Sequence, residues 1–481
     1  MERLRCSRRE LLALAGATAA GCALSACGSA GTSTRRSEQA RTDVAHFRSR
    51  PDLRPPLVHA TGHAPDGGYV FLTPGGPMIV DPGGELVWNR RSTHAAMNLR
   101  VQRYRREPVL TWWEGTNRDG VGDDGEVTVL DSRYREITRI VAAKGLRTDF
   151  HEFVVAPDGT GYLTAYEKVR ADLSAIGGPA RSEMLDAHIQ GIDLATGDLV
   201  FEWRSSRHIG LSETYRSYSP GSLFTPVHLN SIDVLPDGNL LVSARHTWTV
   251  YKIDRASGEI LWRLGGKKSD FSLGTGAHFA WQHDARWHSG NVLSMFDNES
   301  APPEASQSRG LVVHVTEGKK AVTFRHAYYF PGEQLLSGSQ GSVQFMPGGD
   351  VFVGWGSQPY FTQYRHDGRA VLDGSFEKGS SYRAFRVPWT GIPTDRPAIA
   401  VERRGGDALR VYASWNGATE VARWSVLGSS GAGGLSELVA VARSGFETAI
   451  DVSTPPAMRF VAARALGRSG DILGTSRVEG T

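Results

Sequence analysis

Between residues 57 and 376 the chain alternates short apolar runs with glycine-containing turns, and the runs come in fours. The clearest instance is residues 225–267, "TPVHLNSIDVLPDGNLLVSARHTWTVYKIDRASGEILWRLGGK". "NSIDVLP" and "NLLVSAR" read as strands joined by the hairpin turn Asp237-Gly238, and "TVYKID" and "EILWRL" as a second pair turning near Ser257-Gly258. Four antiparallel strands in roughly forty residues form one propeller blade. The same pattern recurs in 57–90, 97–140, 150–203, 279–325 and 340–376, with an insertion near 168–187 in the third unit. The chain is predicted to be all-β: a six-bladed β-propeller over 51–390, followed by a small β-sandwich over 395–481. In that second part "LRVYASWNGATEVARWSVL" and "ELVAVARSGFETAIDV" are short alternating strands resembling a fibronectin type III module.

Composition agrees with this picture. Glycine numbers 56 and tryptophan 12, and long amphipathic helical patterns are scarce. Trp88, Trp203 and Trp262 fall in outer strands just after a glycine turn and are expected to pack between blades. The net charge of +3 includes four arginines near the N-terminus, so the body is almost neutral and nucleic acid is not an expected partner.

The N-terminus adds a location. Arg8-Arg9 precede an apolar run from Leu11 to Leu24, as in a twin-arginine export signal. The run ends "LSAC", which resembles a lipobox with Cys27 as the lipidated residue. The expected order is a signal over 1–27, a polar flexible tether over 28–50, and a protein anchored to the outer face of the cell membrane. All three cysteines lie in the signal, so the mature body has neither disulfide nor thiol chemistry.

In a propeller the first strand of each blade lines the central channel, and its start faces the same mouth as the loop between the second and third strands. Polar residues at those places converge. First-strand starts supply His59, Asn98, His151, His228, Asn230, Gln282, His283, Asp284 and Gln340. The second-to-third loops supply Arg245, His246, Asp297, Asn298 and Trp355, and Arg309 opens a third strand. Imidazoles with arginines suit an anionic, oxygen-rich group: arginine offers forked donors, and histidine a donor, a base or a nucleophile. Spacing alone leaves open a metal bound by His151, His228 and His283; no metal and no cofactor are predicted.

"HLNSIDVLPDGNLLVSARHTWTVYKIDRASGEILWRLGGKKSDF" and "FAWQHDARWHSGNVLSMFDN" closely resemble the bacterial arylsulfotransferase family, in particular its arylsulfotransferase-like branch, and the likeness extends over about 57–376. The resemblance implies transfer of a sulfuryl group from an aryl sulfate ester to a phenol, through a sulfated histidine and without a nucleotide donor. It places His228, His283 and Arg309 at sulfate-binding positions. The family's nucleophilic histidine is expected in the blade after the arginine, where this chain reads "LSGSQGSVQF" with Gln340 and no histidine. If transfer is retained, His283 is the first candidate nucleophile and His228 the second. His151, Asn230, Arg245, His246, Gln282, Asp297, Asn298, Gln340 and Trp355 are then expected to bind substrate. The alternative is a non-catalytic, lipid-anchored propeller that binds an anionic or aromatic ligand or a protein partner.

Overall fold

The computed structural model describes residues 43–481 apart from 65–67, 119, 406–407, 432–433 and 454–457. The predicted signal, Cys27 and most of the predicted tether lie outside the described residues. The tether's last part, 43–50, is packed: Ser49 is buried with its backbone N–H and hydroxyl on Glu447, and Phe47 lies 4.4 Å from Phe446 between ring centroids.

The described chain is all-β, and its helical elements are single 3₁₀ turns. Six antiparallel sheets follow one another along the sequence. The second contains Ala95–Tyr104, Glu107–Gly115, Glu126–Leu130 and Glu136–Ile140, and the third Arg147–Val155, Thr160–Ala171, Ser182–Asp193 and Leu199–Arg204. The fourth contains Leu229–Val234, Leu240–Ala244, Thr249–Ile253 and Ile260–Gly265. The fifth contains His283–His288, Val292–Asp297, Arg309–Thr316 and Ala321–Tyr328, with Ser272–Leu273 added in parallel at its edge. The insertion of the third unit is a lengthening of its central hairpin, paired from Thr160↔Asp193 out to Ala171↔Ser182.

The first and sixth sheets differ from the sequence reading. Val58–Gly62, expected to open the first unit, is instead the outer strand of the sixth sheet, pairing Val58 with Phe376. That sheet continues inward through Ala370–Phe376, Tyr360–Tyr364 and Val351–Gly354 to Ser342–Phe345. The inner strand of the first sheet is Phe385–Val387, which pairs with Tyr69–Leu72, followed by Met78–Val80 and Leu86–Asn89. Each end of the repeat region thus completes the other's sheet, and local pattern carries no sign of an exchange across some 300 residues. His59 is consequently an exposed outer-strand residue, paired with Glu377 at 3.0 Å and remote from the strand starts.

Each sheet packs on both neighbours, which explains why "LLVSA" (Leu240–Ala244) is buried at every position instead of alternating. Tyr162 and Ile189 meet Ile232 and Val242 between the third and fourth sheets; Leu241 and Trp262 meet Leu293 and Leu311 between the fourth and fifth. Phe352 and Leu372 meet Val70 and Val80 between the sixth and the first, so the series returns on itself. The outer tryptophans seal these seams: Trp88 stacks on Tyr134, and the Trp203 and Trp262 indoles donate to Gly258 O and to Glu317.

Beyond residue 397 two sheets share one apolar core. Ala398–Gly405, Ala408–Ser414 and Glu447–Ser453 form one; Ser436–Ala442, Arg423–Ser429, Phe460–Leu466 and Ile472–Thr475 form the other. Val411 and Ile450 from the first meet Trp424, Val426 and Val461 from the second. This unit is fastened to the first two sheets. Asn416 exchanges hydrogen bonds with the Asn89 backbone, and Tyr134 donates to Gly417 O at 2.8 Å. Gly417 has φ of 91°, and a Cβ there would sit 2.5 Å from the Tyr134 ring, so only glycine fits.

Candidate active site

The strand starts owe their direction to a recurring irregularity. The pairing register shifts between Met97 and Arg100, between Leu229 and Ser231, and between His283 and Arg286. At or beside these bulges Asn98, His228 and Asp284 have φ between 55° and 62°, and Gln340, ahead of the sixth sheet's inner strand, has φ of 68°. A left-handed residue in a bulge turns its side chain out of the alternation of the strand. His228, Asp284 and Gln340 thereby aim at common ground, while Asn98 instead donates to the Phe150 and His151 carbonyls.

The deeper part of that ground is an ion cluster. Glu152 is fully buried and accepts from Arg100 and Arg286, and from Arg383 at 3.1 Å. Asp284 accepts from Arg286 Nε at 2.9 Å and from the Val343 N–H at 3.0 Å, and Arg383 lies within ion-pair range of it at 3.3 Å. Burial would raise the Glu152 carboxyl, but the three guanidiniums hold it well below the usual carboxylate range. These arginines come from the second sheet, the fifth sheet and the approach to Phe385. One carboxylate therefore ties together strand starts that are far apart in sequence.

Above the cluster lies a pocket of about 250 Å³. Its wall includes Phe150, His151, His228, Arg245, His246, His283, Gln340 and Tyr382, with Arg216 and Thr225 from the segment joining the third and fourth sheets. The Arg245 and His246 N–H groups donate to His228 O and Val227 O, folding the loop onto the strand start. Three imidazoles then line up: His151 to His228 at 4.4 Å between centroids, edge to face, and His228 to His246 at 4.6 Å, stacked.

Each imidazole is bonded differently. His246 Nδ1–H donates to Thr225 O at 2.5 Å, and His151 Nδ1–H donates to Asp149 at 2.8 Å. His283 is occupied on both sides: Nδ1–H donates to Asn298 Oδ1 at 2.7 Å, and Nε2 accepts the Gln340 N–H at 3.2 Å. Neither ring nitrogen of His228 has a partner among the described residues. Burial, reinforced by neighbouring cationic groups, drives His228, His246 and His283 well below the usual imidazole range, so these three are neutral near pH 7.

Arg245 supplies the charge. Its Nη2 donates to Gly338 O at 2.8 Å and Ser300 O at 3.3 Å, and its guanidinium lies 4.9 Å from the centre of Trp281. Burial, with Arg216 nearby, lowers its pKa to about 10. Among the described residues, neither Arg245 nor Arg216 is ion-paired and no side chain lining the pocket is a carboxylate. The Tyr382 hydroxyl and Gln340 Oε1 are buried without a hydrogen-bond partner. Among the described residues two cations without counter-ions stand beside neutral imidazoles, which makes a receptor for a small oxyanion.

Of the residues singled out from sequence, His151, His228, Arg245, His246, His283 and Gln340 line this pocket. Others stand behind it. Asn230 donates to Gln282 O, Gln282 is spent on Ser243, Ala244 O and Thr249 O, and Asn298 orients His283 while bonding Ser337 O and Gln340 O. Arg309 does not reach the pocket: it is bound to Asp297 at 2.9 Å and to His278 O, which neutralises it, and Arg245 is the buried cation instead. Trp355 is core, its indole donating to Thr362. Tyr382, Arg216 and Phe150 escaped the sequence reading. Tyr382 immediately precedes the displaced inner strand of the first sheet, and its place was hidden with that strand. Among the described residues no group of three or more His, Cys, Asp or Glu side chains has the arrangement to hold a metal ion.

Several solved structures are similar to this chain at low identity. A protein of unknown function from Bacteroides caccae is 11% identical with a TM-score of 0.42, covering 66% of this chain and 98% of its own. Virginiamycin B lyase from Staphylococcus aureus is 9% identical with a TM-score of 0.35, covering 74% and 94%. Hydrazine synthase from Kuenenia stuttgartiensis is 15% identical with a TM-score of 0.36, covering 69% and 80%. No curated protein matches the chain. The family model described as arylsulfotransferase (ASST) matches residues 100–377, more than half of the chain and all of the pocket wall except Tyr382; the chain belongs to the arylsulfotransferase family.

Proposed function

We propose that this protein transfers a sulfuryl group from an aryl sulfate ester to a phenolic acceptor, with His228 carrying the group between the two. The observation that supports it most is the state of His228: a neutral imidazole, unbonded at both nitrogens among the described residues, open to a pocket whose two arginines lack counter-ions. Its lone pair attacks sulfur, the aryl oxygen departs on the opposite side, and Arg245 and Arg216 hold the sulfuryl oxygens. His283 was the first candidate on sequence grounds, but its lone pair already takes the Gln340 N–H.

The reading extends to architecture and place. The six sheets are blades of one propeller, a view supported by apolar seams that run round to the first sheet and by Glu152 at their meeting point. The two C-terminal sheets form a fibronectin type III-like sandwich. Arg8-Arg9, the apolar run after them and Cys27 support export and lipid anchoring. No helix among the described residues is long and apolar enough to cross a membrane. Replacing Cys27 with alanine is expected to move the protein from the membrane fraction to the soluble one.

The deciding experiment is incubation of the mature protein with 4-nitrophenyl sulfate and a phenol. Release of nitrophenol with sulfation of the acceptor is expected, and its loss in His228→Gln. A second reading, binding without transfer, is favoured by Gln340 standing where the family's nucleophile is expected. Tight binding of aryl sulfates with no product would establish it.

A further inference from the structure

One of the four pocket imidazoles has a carboxylate behind it. Asp149 is buried to within 1% and collects four donors: His151 Nδ1–H at 2.8 Å, the His151 N–H at 3.1 Å, Thr164 Oγ1 at 2.7 Å and the Gly122 N–H at 2.9 Å. These four contacts fix its position. Asp149 does not line the pocket; it reaches it only through the His151 ring. With Nδ1–H committed to Asp149, Nε2 is the ring nitrogen left for the pocket. The ring is edge-on to His228 at 4.4 Å and 5.5 Å from Tyr382 between centroids. The other charged or titratable groups of the pocket are His246, His283, Arg245 and Arg216, none of which has a carboxylate within ion-pair reach among the described residues.

A carboxylate on Nδ1–H does two things for an imidazole. It selects the tautomer, and it stabilises the imidazolium that forms when Nε2 takes a proton. His151 is thus the pocket imidazole equipped to carry a positive charge, while His228, His246 and His283 are equipped to stay neutral. Sulfuryl transfer between phenols needs both kinds: a neutral nucleophile for sulfur and a proton carrier for the aryl oxygens.

We propose that His151 is the general acid and base of the transfer reaction and that Asp149 is its positioning residue. This rests on the sulfuryl-transfer reading above. In the first half, the S–N bond to His228 forms as the S–O bond to the aryl group breaks, and His151 Nε2–H gives its proton to the departing aryl oxygen. In the second half, the acceptor phenol returns a proton to His151 Nε2 while its oxygen attacks sulfur. The S–N bond breaks, its electron pair returns to His228, and the enzyme is restored with His151 protonated.

The test compares two donors that differ in how much they need an acid. 4-Nitrophenolate leaves readily as the anion; phenolate does not. General acid catalysis supplies roughly a hundredfold to ten-thousandfold. His151→Gln and Asp149→Asn are therefore expected to lose at least about a hundredfold more rate on phenyl sulfate than on 4-nitrophenyl sulfate. Wild-type kcat/KM for phenyl sulfate is expected to fall at alkaline pH, and that limb to vanish in His151→Gln. His151→Gln alone decides should Asp149→Asn not fold. Equal losses on both donors, or an alkaline limb that persists in His151→Gln, overturns the assignment while leaving the transfer reading intact. A wild-type protein inactive on both donors overturns the transfer reading and this inference with it.

Discussion

Two layers of the same funnel use the same residue types to opposite ends. In the lower layer Glu152 and Asp284 face Arg100, Arg286 and Arg383, and each carboxylate is bound by more than one guanidinium. In the upper layer, among the described residues, Arg245 and Arg216 have no carboxylate partner, His228 has no hydrogen bond, and the Tyr382 hydroxyl is buried with its bonding unfilled. A satisfied cluster stabilises the ring of sheets; an unsatisfied one keeps its interaction energy for a ligand. The difference shows that charge and burial do not by themselves mark a binding site.

The comparison breaks most visibly from below. Glu152→Gln leaves Arg100 without a counter-ion and Arg286 and Arg383 with Asp284 alone, and losing one partner of a buried ionic network costs about 3–5 kcal/mol. Urea unfolding of the mature protein should show that loss. Arg245→Met should do the reverse: affinity for an aryl sulfate falls about tenfold to a hundredfold, the worth of a charge-assisted hydrogen bond at about 1.5–3 kcal/mol, while stability holds or rises because an unpaired buried cation is gone. Titration calorimetry and unfolding on the one variant check both halves. If Arg245→Met unfolds as readily as Glu152→Gln, the two layers do not differ as described.

Acid sharpens the contrast. His228, His246 and His283 have folded pKa values below the unfolded value of about 6.5, so the unfolded chain binds more protons as pH drops. Their contribution to stability is full above about pH 6.5 and declines below it, towards their folded values. The urea midpoint is expected to fall from pH 7.5 to pH 5, and His228→Gln to flatten that fall. The smallest effect belongs to the outer edge. His59→Ala removes an exposed pair with Glu377 and is expected to shift stability by no more than about 0.5 kcal/mol and leave binding unchanged.

The legible parts of this molecule are local. Asp237-Gly238 and the apolar runs around it announce a hairpin, and the polar starts at His151, His228 and His283 stand out because their strands otherwise pack. The illegible parts depend on closure over long range. Phe385–Val387 carries no mark of belonging beside Tyr69–Leu72, so Tyr382 and Arg383, which arrive with it, were invisible as site and cluster residues. Glu152 was overlooked beside His151, since nothing local says that its side chain meets arginines from other sheets. Arg309 and Arg245 are alike in sequence; what separates them is that Asp297 lies 2.9 Å from one and no carboxylate pairs with the other.

On the transfer reading, the upper layer reserves His228 for the transferring group. The measurement that meets it most directly is covalent: brief reaction of the mature protein with an activated aryl sulfate, without acceptor, then peptide mass analysis under mildly alkaline conditions. One added sulfuryl group is expected on the peptide carrying His228, absent from His228→Gln. Turnover with no adduct, or an adduct on His283 with His228 unmodified, would contradict it.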